Sequence, residues 1–282
     1  MAKKLALLLF VVVLVAPVAA FGVWGGEPDG DDHPSVGAMY FEFADGQPGV
    51  VVDDLMCSGS YAGPSKDREH DVFLTAGHCL PPAELELPAF LLTVSFDNNE
   101  SDDSPDALIT VDEYHQMPGF GHDRGDLRDL GILLLPSGSV AAAFPDAAAN
   151  AVVLPSENYL DDLKKDGELK RRTADIVGYG VTPVWGPGGP TTFDFDGVRK
   201  SGTSVINGLT KSMLLYNQNP NGVGTGAGLC FGDSGSPQFN EGTVNVLSVT
   251  SGGNGQCNSV NNNYRVDTPQ AREFLGEFLA LP

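Results

Sequence analysis

The sequence predicts an all-β fold that ends in one C-terminal α-helix, and three observations carry this. The 282 residues include 35 glycines and 20 prolines, a density of chain-reversing residues that a helical bundle would not tolerate. Between the turn clusters run short segments rich in β-branched and aromatic side chains, as strands are. Only the tail carries an apolar stripe at helical spacing.

The elements follow in chain order. Lys3 and Lys4, the apolar run Leu5 to Val15 and the small residues of Ala16-Pro-Val-Ala-Ala20 read as an export signal over residues 1–22, cut after Ala20 or after Gly22. That run is shorter than the roughly 20 residues needed to cross a bilayer, so a secreted, soluble, extracellular protein is expected. Strands are predicted at 35–42, 72–75, 90–96, 109–114, 130–135, 174–179, 244–250 and 263–266. Residues 140–150, rich in alanine, are the best linker between an N-terminal half (23–145) and a C-terminal half (146–282). In the tail, Thr268 can cap and Pro269 suits a first helical position. Phe274, Leu275, Phe278 and Leu279 then share one face.

Charge excludes whole classes of partner. Sixteen basic against 37 acidic residues give a formal charge of −21, more negative still once Lys3 and Lys4 are removed. Such a surface repels nucleic acid and anionic membranes. Cys57, Cys79, Cys230 and Cys257 all lie in the exported part, where two disulfides are the default and three pairings are open.

Three motifs carry chemistry. In Leu74-Thr-Ala-Gly-His-Cys79, His78 follows a strand and adjoins a cysteine that can anchor its loop, as a positioned general base requires. In Phe231-Gly-Asp-Ser-Gly-Ser-Pro237, Ser234 sits in a glycine-rich turn where the N–H groups of Gly232 and Ser234 can converge on a developing oxyanion. Asp129 opens the apolar run Asp129-Leu-Gly-Ile-Leu-Leu-Leu135 and can hold the second imidazole nitrogen, with Asp126 as the competing acid.

The order His78, Asp129, Ser234 and the cysteine placement resemble the chymotrypsin/trypsin-like serine proteases, from Val23 to about Leu279, in their secreted bacterial form. Gly178-Tyr-Gly180 looks like the Gly-Trp-Gly of that family. The resemblance implies two packed six-stranded β-barrels with the site between them. It also implies bridges Cys57 to Cys79 and Cys230 to Cys257, and a free N-terminus at Val23 paired with Asp233. Its pocket positions fall on Gly228, Leu229, Ser251, Gly253 and Asn262. Gly228 supplies no acid for Arg or Lys, so apolar or small acyl-side residues are expected. Three departures stand out: no Arg or Lys precedes Val23, Ser236 replaces a common glycine, and Gly252 replaces an aromatic.

The implied protein is a monomeric secreted serine endopeptidase acting on proteins or peptides through an acyl-enzyme, without cofactor or metal. The alternatives are a secreted binding protein or pseudoenzyme on the same fold, or a narrow esterase. Residues 97–103 read as a solvated acidic loop rather than a calcium site, Asn99-Glu-Ser101 is a glycosylation sequon, and His33, His70, His115 and His122 lack metal-ligand spacing.

Overall fold

The structure, a computed structural model, describes residues 23–44, 51–82, 87–99, 107–170, 172–221 and 226–282. The export signal, Phe21-Gly22 before Val23 and residues 100–103 of the acidic segment lie outside the described residues.

The chain begins with β1 (Glu27–Pro28), β2 (Val36–Ala44), β3 (Val51–Pro64), β4 (His70–Thr75), β5 (Leu92–Ser95), β6 (Ile109–Thr110), β7 (Glu113–Gln116) and β8 (Gly131–Pro136). All but β1 form one antiparallel sheet in the order β6-β5-β2-β3-β4-β8-β7. The interior position of β8 follows from its sequence. Gly131-Ile-Leu-Leu-Leu135 is buried throughout, so both faces of the strand need apolar cover. Past β6, the Asp112 N–H donates to Leu134 O at 2.9 Å and curls the sheet back on itself.

The second half holds β9 (Thr173–Gly178), β10 (Thr182–Gly186), β11 (Gly189–Asp194), β12 (Lys200–Leu209), β13 (Met213–Asn217), β14 (Pro237–Asn240), β15 (Val246–Gly252) and β16 (Val260–Arg265). Strands β12-β13-β16-β15-β14-β9 close into a barrel because β9 pairs with β12 as well as β14. Strand β1 adds to β12, and β10 and β11 form a separate hairpin. The predicted two-barrel, trypsin-like architecture holds. Its N-terminal member is a curled seven-stranded sheet, and its C-terminal member is the closed six-stranded barrel.

Residues 140–150 are more ordered than a linker. They contribute to α1 (Ser139–Ala143) and α2 (Pro145–Ala149), as their alanines favour, and Val140 is buried with its N–H on Asp71 Oδ2 at 3.1 Å. A third short helix, α3 (Tyr159–Lys165), was not predicted. The tail forms α4 (Pro269–Phe278), capped by Thr268, whose side chain accepts from Ala271 N. Its Phe274 and Leu275 are buried in the core of the N-terminal sheet.

Each half carries one covalent tie, and one buried cation joins the two. The bridges are Cys57–Cys79 and Cys230–Cys257, spanning 22 and 27 residues. Loops of that length are worth about 3–4 kcal/mol each in chain entropy. Arg199, at the start of β12, is 1 % exposed and holds Asp29 at 2.9 Å through Nε. Its other nitrogens donate to Val36 O and Phe96 O of the first sheet and to Gly30 O. Arg199→Ala leaves the buried Asp29 carboxylate with His33 but without the guanidinium, and deprives Phe96 O of its donor at this junction. A stability loss of about 3–5 kcal/mol is expected in urea unfolding.

Candidate active site

Register builds the first part of the site. Strands β4 and β8 are antiparallel with Thr75 opposite Gly131, so His78, three residues past Thr75, and Asp129, two before Gly131, emerge at the same sheet end. There Asp129 Oδ1 accepts from the His78 backbone N–H at 2.8 Å, and Oδ2 lies 2.9 Å from Nδ1. The Ser251 hydroxyl, from β15 of the barrel, donates to the same Oδ2. A carboxylate only accepts, so Nδ1 carries the hydrogen and Nε2 is left basic. The Asp129 side chain is 3 % exposed and that of His78 32 %, which encloses the acid and opens the imidazole to the cleft. Asp126, the competing acid, instead accepts from Tyr264 Oη at 2.8 Å. Cys79, bridged to Cys57, pins the turn.

Ser234 enters from the barrel, in the turn before β14. Ser58 of β3 holds that turn against the first sheet. Its N–H donates to Ser234 O at 2.7 Å and its Oγ to Gly232 O at 2.9 Å. Its carbonyl accepts from Thr75 Oγ1, at the end of the strand that leads to His78. Gly235 (φ +82°) must be glycine here, since a Cβ would lie 2.1 Å from Thr75 Oγ1 and 2.3 Å from Ser58 O. Two carbonyls in the turn are also tethered: Phe231 O accepts from Val181 N at 2.7 Å and Asp233 O from Ser236 N at 2.9 Å. In a trans peptide the N–H points away from its carbonyl, which fixes the N–H directions of Gly232 and Ser234. Among the described residues neither N–H donates to a protein acceptor. The turn can therefore receive a developing negative charge. Ser58 was not singled out in the sequence; its position beside Cys57 was the available signal.

Asp233 is fully buried beneath this turn. Its carboxylate accepts from Gly180 N and Cys230 N, each at 2.8 Å. Burial pushes its pKa up to about 7, while those N–H groups and the nearby charge of Lys200 act the other way. Gly178 and Gly180 are glycines because a Cβ on either would meet an Asp233 oxygen at 2.3 Å. Between them Tyr179, standing where tryptophan was expected, is buried and donates its hydroxyl hydrogen to Asp97 O of the first half, with Val36 O 3.3 Å away. Val23 is buried with Ile176, Ala227 and Leu229. Ser236 is tolerated in place of glycine because its hydroxyl is satisfied by Thr250 Oγ1 at 2.9 Å.

A sequence model described as trypsin matches residues 49–274. The chain belongs to the trypsin family. Solved structures share its fold at low identity. Human heparin binding protein superposes with a TM-score of 0.60 at 14 % identity, covering 90 % of this chain and 95 % of that one. The VesB protease of Vibrio cholerae does so at 0.57 and 16 %, covering 89 % of this chain and 65 % of the other. No curated protein sequence matches.

The residues that the resemblance assigned to a substrate pocket lie in varied surroundings. Gly252 has nothing within 4 Å of a Cβ position, so the wall where an aromatic was missed is open. Gly228 bonds Trp24 O through its N–H, and a Cβ there would lie 1.8 Å from Gln218 O. The Leu229 side chain, expected to line the pocket, turns instead into the Val23 cluster, and its carbonyl accepts from Gln218 Nε2 at 2.7 Å. Asn262 pairs opposite Gly252 and is solvent-exposed, at the rim. Among the described residues the one close His/Cys/acid cluster is Cys57, His78 and Cys79. Both of its sulfurs are in a disulfide and cannot ligate a metal.

Proposed function

We propose that this trypsin-family protein is a secreted serine endopeptidase that cleaves peptide bonds through an acyl-enzyme on Ser234. The observation that carries the reading is the Nδ1 bond from His78 to buried Asp129, with the Ser234 turn tethered through Ser58 to the strand leading to that histidine. Ser234 Oγ attacks the carbonyl carbon and its proton passes to His78 Nε2. The oxyanion settles on the Gly232 and Ser234 N–H groups. Collapse of the adduct sends the proton from His78 to the leaving amine, and a water repeats the sequence to free Ser234. Asp129 orients His78 and stabilises its imidazolium form. No metal or cofactor takes part in this scheme.

The family acts on proteins or peptides, and the cleft favours uncharged acyl-side residues because no acid stands at position 228. Export is supported by the leader pattern and by two disulfides; no helix among the described residues is long and apolar enough to cross a membrane. Cleavage before Val23 would free an ammonium on a residue packed against Leu229, four residues before Asp233. N-terminal sequencing of active protein tests that step, and full activity of a form beginning at Phe21 would overturn it. The human neighbour is named for binding heparin, a polyanion, and a charge of −21 opposes such a partner here.

A fluorophosphonate should label the purified protein and leave Ser234→Ala unlabelled, with peptide hydrolysis tracking the label. Labelling with ester but not peptide turnover would instead establish an esterase. Absence of labelling would leave a binding protein on the same fold.

A further inference from the structure

We propose that Gln218 sets the selectivity of this site by filling the space that an acyl-side side chain would enter, so that the enzyme accepts glycine and alanine there and excludes larger residues. The inference rests on the Ser234 reading and narrows its apolar-or-small preference.

Two segments flank the reacting centre. Residues 228–230 lead directly into the Ser234 turn, and residues 251–254 begin at Ser251, the residue that bonds Asp129. On the Ser234 reading, the substrate residue next to the scissile bond enters between them. That gap is already occupied. Gln218, just past β13, is 2 % exposed. Its carboxamide Nε2 donates to Leu229 O at 2.7 Å, on one wall, and its Oε1 accepts from Asn254 N at 3.2 Å, on the other. Both ends of the amide are thus satisfied across the gap, and moving the side chain would forfeit both bonds.

The glycines on the walls fit this occupant. A Cβ at Gly253 would stand 2.5 Å from Gln218 Nε2 and 2.7 Å from Oε1. Glycine at 253 makes room for the glutamine side chain, and glycine at 228 for the Gln218 backbone carbonyl, 1.8 Å from where a Cβ would stand. The walls cannot spread to admit a larger guest either. Cys230 is bridged to Cys257, and Cys257 N bonds Asn254 O at 2.9 Å, which ties the second wall to the first.

The test is a set of peptides differing only in the acyl-side residue, run on wild type, Gln218→Ala and Gln218→Met, with fluorophosphonate labelling of each. Wild type should prefer Ala over Leu or Phe by roughly 100-fold in kcat/KM, the scale of steric discrimination in such sites. Gln218→Ala should raise the Leu and Phe peptides by roughly 10- to 100-fold, and Gln218→Met, which refills the space, should restore the exclusion. Wild-type enzyme that labels at Ser234 yet cleaves Leu or Phe peptides as well as Ala peptides would overturn the inference and leave the protease reading standing, whether or not the variants fold. So would a labelled Gln218→Ala enzyme with an unchanged profile. Failure of wild type to label would remove the protease reading, and this inference with it.

Discussion

Ser234→Ala should lower kcat by on the order of 10⁶-fold while leaving the unfolding midpoint nearly unchanged, because it deletes one oxygen at a half-exposed position. His78→Ala should fall almost as far. The double variant should be barely worse than either single one, since nucleophile and base act as a unit. Asp129→Asn should cost about 10⁴-fold by presenting the wrong tautomer. The Ser251 hydroxyl, aimed at the same carboxylate, would then face an amide that can no longer accept at both oxygens. Steady-state kinetics on one peptide settles all four. Additive losses from Ser234→Ala and His78→Ala would show that the two do not act together.

The second large effect concerns Asp233, in a form of the chain not cut before Val23. Its folded pKa of about 7 lies above the unfolded value of about 3.9. The sign follows: the stability associated with its protonated form is complete below pH ~3.9 and is lost as pH climbs through 7, at a cost of about 4 kcal/mol. In uncut, inactive Ser234→Ala protein, adding Asp233→Asn should therefore become progressively stabilising between pH 4 and pH 8. In protein cut before Val23 the order should reverse at neutral pH, because the new ammonium favours the carboxylate and Asp233→Asn strands it. The same substitution should then lower activity with His78 and Ser234 intact. Urea titrations across pH read the stability difference directly. A pH-independent difference in the uncut protein would refute the argument.

Some parts of this architecture were legible and others were not, for reasons of locality. The run Leu130 to Leu135 announces a doubly buried strand by itself, and the Thr268-Pro269 cap announces α4. The pairing of His78 with Asp129 and the Gly-rich Ser234 turn were readable because each sits in a short motif next to a turn or cysteine. By contrast β12, Lys-Ser-Gly-Thr-Ser-Val-Ile-Asn-Gly-Leu, has the composition of a loop. It is a strand because β9 and β13 pair with it and Arg199 anchors its start. Helix α3 owes its place to Asp267, more than 100 residues away, which accepts from Leu160 N and Asn158 N. The alanine-rich 140–150 segment read as a linker because its burial depends on contacts such as Val140 with Asp71. Gln218 carries no motif at all; its bonds to Leu229 and Asn254 are visible only in three dimensions.

The Ser58 tether has a bearing on the life of the chain before it is finished. Base and acid belong to the first sheet, which ends at β8, whereas the serine turn belongs to a barrel that cannot close until β16 has paired. The bond from Ser58 to the Ser234 carbonyl, and the one from Ser251 to Asp129, can form only when both halves are complete and docked. A partly translated or half-folded molecule consequently holds His78 and Asp129 without the Ser234 turn tethered beside them. The two parts of the site therefore come together only when the halves dock, late in folding.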